Sequence, residues 1–199
     1  MPEQLSFAGF DPPQPPTDRL FFALFPGAEV AAKIGQLALQ LRVEHVLHSK
    51  PLRPERFHVT LHHLGDHAGV PQDIVAAACD AAATVTIPPF QLAFDRVASF
   101  SGKPGNRPLV LRGDDGVVAL KAFQQVLGKA MQIAGLGRWA EMRFTPHVTL
   151  LYDERLVAEQ AVEAITWTAQ EFVLVHSLIG QSRHLPLRRW ALRDGSTQR

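Results

Sequence analysis

The sequence predicts a chain of mixed strands and helices folded as two pseudo-symmetric lobes around one cleft, and three observations lead there. The tetrapeptide His-Val-Thr-Leu occurs twice, at residues 58–61 and 147–150. Each copy follows a hydrophobic strand at nearly the same offset: Arg19 to His58 is 39 residues and Arg107 to His147 is 40. The order of elements, β-α-β-α-β, then repeats on either side of a polar loop at 101–106. Equal offset and equal order mark an internal duplication. Halves related by a pseudo-twofold axis bring equivalent strands to one cleft, and His58 and His147 with them.

Taken in order, residues 1–17 carry Pro2, Pro12, Pro13, Pro15 and Pro16 and read as a disordered leader. A hydrophobic strand at 19–25 is stopped by Pro26-Gly27. A helix over 28–43 places Val30, Ile34, Leu37 and Leu41 at helical spacing. A link over 45–55 enters the first motif strand, whose β-branched residues and alternation favour extended structure. Alternate side chains of a strand share a face about 6.5–7 Å apart, so His58 and Thr60 face one way. Phe57, Val59 and Leu61 face the other, buried way. Gly65-Asp66 ends this strand, Pro71 opens a helix over 71–83, and Pro88-Pro89 introduces a strand over 90–99.

Beyond the loop, a strand over 107–112 leads to Asp114-Asp115, candidate N-caps for a helix to about residue 134 that Gly135 closes. Val117, Leu120, Phe123, Leu127 and Met131 form its inward face. The second motif strand pairs His147 with Thr149 on one face. A short helix over 157–165, a strand over 171–179, a final strand over 185–192 and a tail over 194–199 complete the chain. The predicted organisation is one bilobal domain over 18–193, built of pseudo-repeats 18–100 and 107–180.

Composition excludes several classes of protein. A hydrophobic fraction of 46% with 20% charged residues is that of an ordinary globular protein. The net charge of +1 implies no extended nucleic-acid groove. Arg outnumbers Lys by 15 to 5, a bias that a GC-rich genome also produces. A single cysteine, Cys79, allows no disulfide framework and no Cys-based zinc site. No signal peptide or membrane span is visible, so a cytoplasmic location is expected.

The repeated imidazole and hydroxyl suit one small anionic group. Cleaving a phosphodiester in line requires a base on the entering oxygen and an acid on the leaving one. Two imidazoles of ordinary pKa about 6.5 can be one neutral and one protonated, filling both roles without a metal or other cofactor. Thr60 and Thr149 can donate hydrogen bonds to the non-bridging phosphate oxygens. A strained 2',3'-cyclic phosphate is the substrate that asks least of such a site.

The paired motifs, the 89 residues between the histidines and the opening strand resemble the two-histidine (2H) phosphoesterases, in particular the bacterial RNA 2',3'-cyclic phosphodiesterase, or 2'-5' RNA ligase, branch. The likeness spans about 18–193 and rests mainly on residues 53–61 and 144–150. It implies an α+β fold with an antiparallel sheet in each lobe, helices on the outer faces and the motif strands lining the cleft. It also implies hydrolysis of a terminal ribose 2',3'-cyclic phosphate to the 2'-phosphomonoester, with 2'-5' joining as a related activity. His147 is then the proton acceptor, His58 the proton donor, and Thr60 and Thr149 hold the phosphate. The expected partner is an RNA 3' end or a small cyclic-phosphate nucleotide, bound by a monomer. Two positions depart from the resemblance: Tyr152 stands where many members carry Arg, and His184 where many carry Tyr. Arg143, Arg155 and Arg183 are candidates for the displaced cation.

Two other readings compete. Six histidines fall between 45 and 67, and His62 is expected on the face of His58, so a zinc hydrolase built on residues 58–67 is the second reading. It lacks an acidic ligand at recognised spacing and leaves the second motif without a role. A non-catalytic protein holding an RNA 3' phosphate is the third reading. Arg or Lys would serve binding alone as well as two histidines do.

Overall fold

A computed structural model of the chain describes residues 14–103 and 105–194. Eight strands lie among these residues: β1 (Asp18–Leu24), β2 (Val59–His67), β3 (Phe90–Ser99), β4 (Arg107–Arg112), β5 (His147–Asp153), β6 (Gln160–Ala169), β7 (Glu171–Leu178) and β8 (Arg183–Ala191). They form two four-stranded sheets, ordered β2-β1-β7-β8 and β5-β4-β3-β6, with every neighbouring pair antiparallel. Three helices, α1 (Ala28–Glu44), α2 (Gln72–Ala83) and α3 (Val118–Ile133), complete an α+β fold of two lobes.

The two sheets have the same plan, with β1, β2, β7 and β8 answering to β4, β5, β3 and β6. The halves of the chain nevertheless exchange strands. β3, from the first half, joins the second sheet, and β7 and β8, from the second half, join the first. Each sheet thus takes strands from both halves of the chain. Residues from both sheets share one core: Leu20, Phe22 and Leu24 of β1, Leu109 and Leu111 of β4, Ile34 and Leu41 of α1, and Phe123 and Leu127 of α3 are all buried in it. Phe21, Ala23, Val173 and Val175 form a separate small cluster on the other face of the first sheet, with Phe25 against it.

The expected helix over 157–165 is instead the strand β6, paired with β3 from Phe90↔Ala169 to Val97↔Gln160. Helix formers at Ala158, Ala161, Glu163 and Ala164 suggest a helix locally. Pairing of Val162, Ile165, Thr166 and Trp167 along β3 overrides that preference. The second half therefore runs β-α-β-β-β. Nor do Asp114 or Asp115 cap α3: a 3-10 turn at Asp115–Val117 precedes it, and Val117 is its N-cap residue, without a side-chain bond. Most of the expected leader, residues 1–13, and tail residues 195–199 lie outside the described residues. Thr17, assigned to the leader, is held in place, its N–H bonded to the His67 carbonyl and its carbonyl to the Ile179 N–H, both at 2.9 Å. No helix among the described residues is long and apolar enough to cross a membrane.

An irregularity recurs in both motif strands. Along β1 and β2, Ala23 pairs with Thr60 but Phe22 pairs with His62, so Leu61 is an extra residue. Along β4 and β5, Val110 pairs with Thr149 but Leu109 pairs with Leu151, so Leu150 is extra. Both bulges fall on the fourth residue of the motif. A bulge re-aims the side chains that follow it, with consequences for the histidines after the first motif.

Candidate active site

His58 directly precedes β2, and His147 is the first residue of β5. The His58 Nδ1–H donates to the Arg56 carbonyl at 2.7 Å, and the His147 Nδ1–H donates to the Thr145 carbonyl at 2.8 Å. A carbonyl only accepts, so Nδ1 must carry the hydrogen in both rings. Each Nε2 is left to accept a proton or, in the imidazolium, to give one. Thr60 and Thr149 follow at the same step, each half-buried at the edge of its bulge. The same residue types in the same local geometry are therefore presented twice.

Their surroundings differ. The His58 ring stacks on Phe21 at 5.1 Å and lies 5.6 Å from Phe25 and 5.2 Å from His184. Burial pushes its pKa down to about 4, against the upward pull of the Arg56 carbonyl. Positive charge at His184, Arg56 and His147 adds to the depression, so the two motif histidines sense one another. His147 meets the edge of Phe100 at 5.0 Å. Its pKa is also lowered by burial and partly restored by the Thr145 carbonyl. Directly opposite it on β4 stands Arg112, which Glu159 holds at 2.7 Å, with Arg96 on the same carboxylate at 3.4 Å.

Arg143, Arg155 and Arg183 are all exposed, and the backbone N–H of Arg155 is turned to Asp153. The cations that act on the imidazoles are Arg56 and Arg19. Both depress His184, whose pKa falls to about 4 chiefly through burial. Arg19 is bound through two nitrogens to Asp66, at 2.6 and 2.7 Å. Tyr152 pairs with Pro108 beyond the second bulge and lies close enough to Arg19 to favour its charged form. Phe21, Phe25, Phe100, Arg19 and Arg56 were not among the expected site residues. A strict period of two along β1 would have found the first two, because Leu20, Phe22 and Leu24 face the core. Phe100 lies one residue past its strand and gives no such signal.

The structure corrects the expected placement of His62. Because Leu61 is the extra residue, His62 sits opposite Phe22 and is buried on the core side, while His63, opposite Phe21, takes the cleft face. The His62 Nε2–H donates to the Gln124 carbonyl at 2.9 Å, and Nδ1 accepts from the Glu141 N–H at 3.1 Å. His63 turns to Asp66 at 3.1 Å and His67 to the Leu64 carbonyl at 2.9 Å. These histidines diverge, so the zinc-site reading loses its ligand set. Among the described residues no group of three or more His, Cys, Asp or Glu is placed to hold a metal ion.

Comparison with known proteins agrees with this fold. No curated protein matches the chain. Several solved structures share its fold. E. coli LigT complexed with NADP+ is 26% identical with a TM-score of 0.65, covering 91% of this chain and all 100% of LigT. LigT complexed with 3'-AMP is 24% identical with a TM-score of 0.61, over 89% of this chain and 99% of the other. TT0787 of Thermus thermophilus is 21% identical with a TM-score of 0.69, again over 89% and 99%. The family model of the 2'-5' RNA ligase superfamily matches residues 26–180. With its two lobes and its paired His-Val-Thr-Leu strands, this chain belongs to the 2'-5' RNA ligase superfamily of two-histidine phosphoesterases.

Proposed function

We propose that the protein hydrolyses a terminal ribose 2',3'-cyclic phosphate, on RNA or a nucleotide, to the 2'-phosphomonoester. The observation that carries this reading is the mirrored anchoring of the two imidazoles, each with Nδ1–H on a carbonyl two residues back and Nε2 left for proton transfer. LigT, a structural neighbour, was crystallised with 3'-AMP, NADP+ and ATP, which fits a cleft for nucleotides.

In the proposed reaction His147 Nε2 takes a proton from water as the water oxygen bonds to phosphorus. The P–O3' bond breaks in line, and the His58 imidazolium gives its Nε2 proton to O3'. Thr60 and Thr149 donate to the non-bridging oxygens, where negative charge builds up. The 2'-phosphate and a free 3'-hydroxyl leave, and both histidines return to their starting states by exchange with solvent. An RNA 5'-hydroxyl in place of water, attacking in the same geometry, leads to a 2'-5' joint, in keeping with the superfamily's description.

Burial lowers both pKa values, so at neutral pH the empty cleft holds two neutral imidazoles. An arriving phosphate anion favours the charged form, and His58 takes up its proton with the substrate. The protein works as a monomer in this reading. The lone Cys79 suits the reducing cytoplasm as its compartment. Phosphorus NMR of the products from adenosine 2',3'-cyclic phosphate tests the proposal. The 2'-phosphate alone is expected, formed roughly 10²–10⁴-fold more slowly by His58→Ala or His147→Ala. Release of the 3'-phosphate, or full activity in either variant, would refute it.

A further inference from the structure

One end of the cleft opens into a groove of about 740 Å³, within the range of roughly 300–1,000 Å³ usual for small-molecule sites. It begins beside the proposed acid, because Phe25 and His184, the neighbours of His58, both line it. Beyond them Pro186 of the first sheet is exposed to the groove, with Val175 and Trp167 buried behind its surface. The Trp167 Nε1–H is buried without a hydrogen-bond partner among the described residues. The rim carries Thr168, Gln170 and three carboxylates, Glu29, Glu55 and Glu171. Arg189, the one arginine among the described lining residues, is ion-paired to Glu171.

Such a rim repels a phosphate and offers it no free guanidinium. An uncharged aromatic ring gains contact with the Phe25 and His184 rings and with Pro186, and hydrogen bonds from the polar rim. We infer that this groove holds the nucleobase of the nucleotide whose cyclic phosphate lies between His58 and His147. The inference rests on the proposed reading of that histidine pair and names what the substrate must carry beside its phosphate. A nucleoside cyclic phosphate is then a good substrate and a bare ribose cyclic phosphate a poor one, the difference lying in KM.

Steady-state kinetics on adenosine 2',3'-cyclic phosphate and on methyl riboside 2',3'-cyclic phosphate, which has no base, test this. The KM for the adenosine substrate should be lower by on the order of tenfold, as one stacked base implies, with similar kcat. Thr168→Leu and Pro186→Leu, both at exposed positions, put aliphatic bulk into the groove. Each should raise the adenosine KM toward that of the base-free substrate and leave the base-free constants unchanged. Equal KM values in the unaltered protein, or variants that affect both substrates alike, overturn the inference. If neither substrate turns over, the histidine reading fails, and calorimetric titration still decides the groove. Tighter binding of adenosine 2'-monophosphate than of methyl riboside 2'-phosphate, weakened by Thr168→Leu, supports it, and equal binding overturns it.

Discussion

The two lobes present the same histidine in different company. Around His58 stand Phe21, Phe25 and His184, all rings, and its pKa is pushed to about 4. Around His147 stand Phe100 and, across the strand, Arg112 with its Glu159 partner. The backbone anchor of Nδ1, the threonine two residues on and the bulge after it are shared. What is shared is what in-line phosphoryl chemistry demands of both groups: a directed Nε2 and a nearby donor. What differs is the surroundings: burial by itself disfavours the protonated His58 that the acid role needs, and a bound phosphate anion supplies the opposing charge.

The largest effects should come from breaking the shared part. His58→Ala and His147→Ala should each lower kcat on a nucleoside 2',3'-cyclic phosphate by roughly 10²–10⁴-fold, the usual contribution of one acid–base group. The double variant should lose little more than the worse single one, because groups acting as a unit are not additive. A product of the two single losses in the double variant would show that they act independently. Thr60→Ala and Thr149→Ala come next, at roughly 10–1,000-fold, as for loss of one donor to a charged oxygen. The equivalence of the lobes requires similar losses in the two. A tenfold disparity would mean that the phosphate leans on one lobe.

The divergent part should show in pH dependence. In the free protein both pKa values lie below the ordinary 6.5, that of His58 at about 4. A profile of kcat/KM reports the free protein, so it should be a bell with its maximum below pH 6.5. The two limbs belong to the pair together. The kcat profile reports the complex, where bound phosphate favours imidazolium, and should move to higher pH. Phe25→Leu opens the surroundings of His58, weakens the desolvation and should shift one limb of kcat/KM upward toward 6.5. A kcat/KM maximum above pH 7 would contradict the burial argument.

The shared part was legible in the sequence because it is local. His-Val-Thr-Leu recurs in register, and four residues of alternation suffice to place His58 with Thr60 and His147 with Thr149. The divergent part was not, because it depends on which strand lies beside which. His184 reaches His58 only because β8 pairs with β7 and β7 with β1, an exchange of strands between repeats that no local pattern records. The β6 segment failed for the same reason, its helix-forming residues being overruled by β3. His62 failed through a single residue. Alternation put it beside His58, and the extra Leu61 turned it into the core.

That reversal gives the smallest and most specific test. His62 corresponds to Leu151 in the second lobe, each opposite the core residue of its partner strand, Phe22 or Leu109. One lobe thus fills the position with leucine and the other with a buried imidazole bonded at both nitrogens. The Gln124 side chain, on α3, adds a bond to the Glu141 carbonyl at 2.9 Å, and the His62–Glu141 bond ties the first motif strand to the segment leading into the second motif. The imidazole also explains a glycine inside α3, because a Cβ on Gly128 would meet the ring at 3.1 Å. In an exposed helix interior Gly→Ala stabilises by about 1 kcal/mol. Here Gly128→Ala should destabilise by about 1–3 kcal/mol, as overpacking does. His62→Leu, copying the other lobe, leaves the Glu141 N–H without its acceptor and should cost about 1–3 kcal/mol, read by urea unfolding. His62→Leu combined with Gly128→Ala should cost less than the sum, since removing the ring removes the clash. Additive losses would mean that Gly128 is glycine for some reason other than His62.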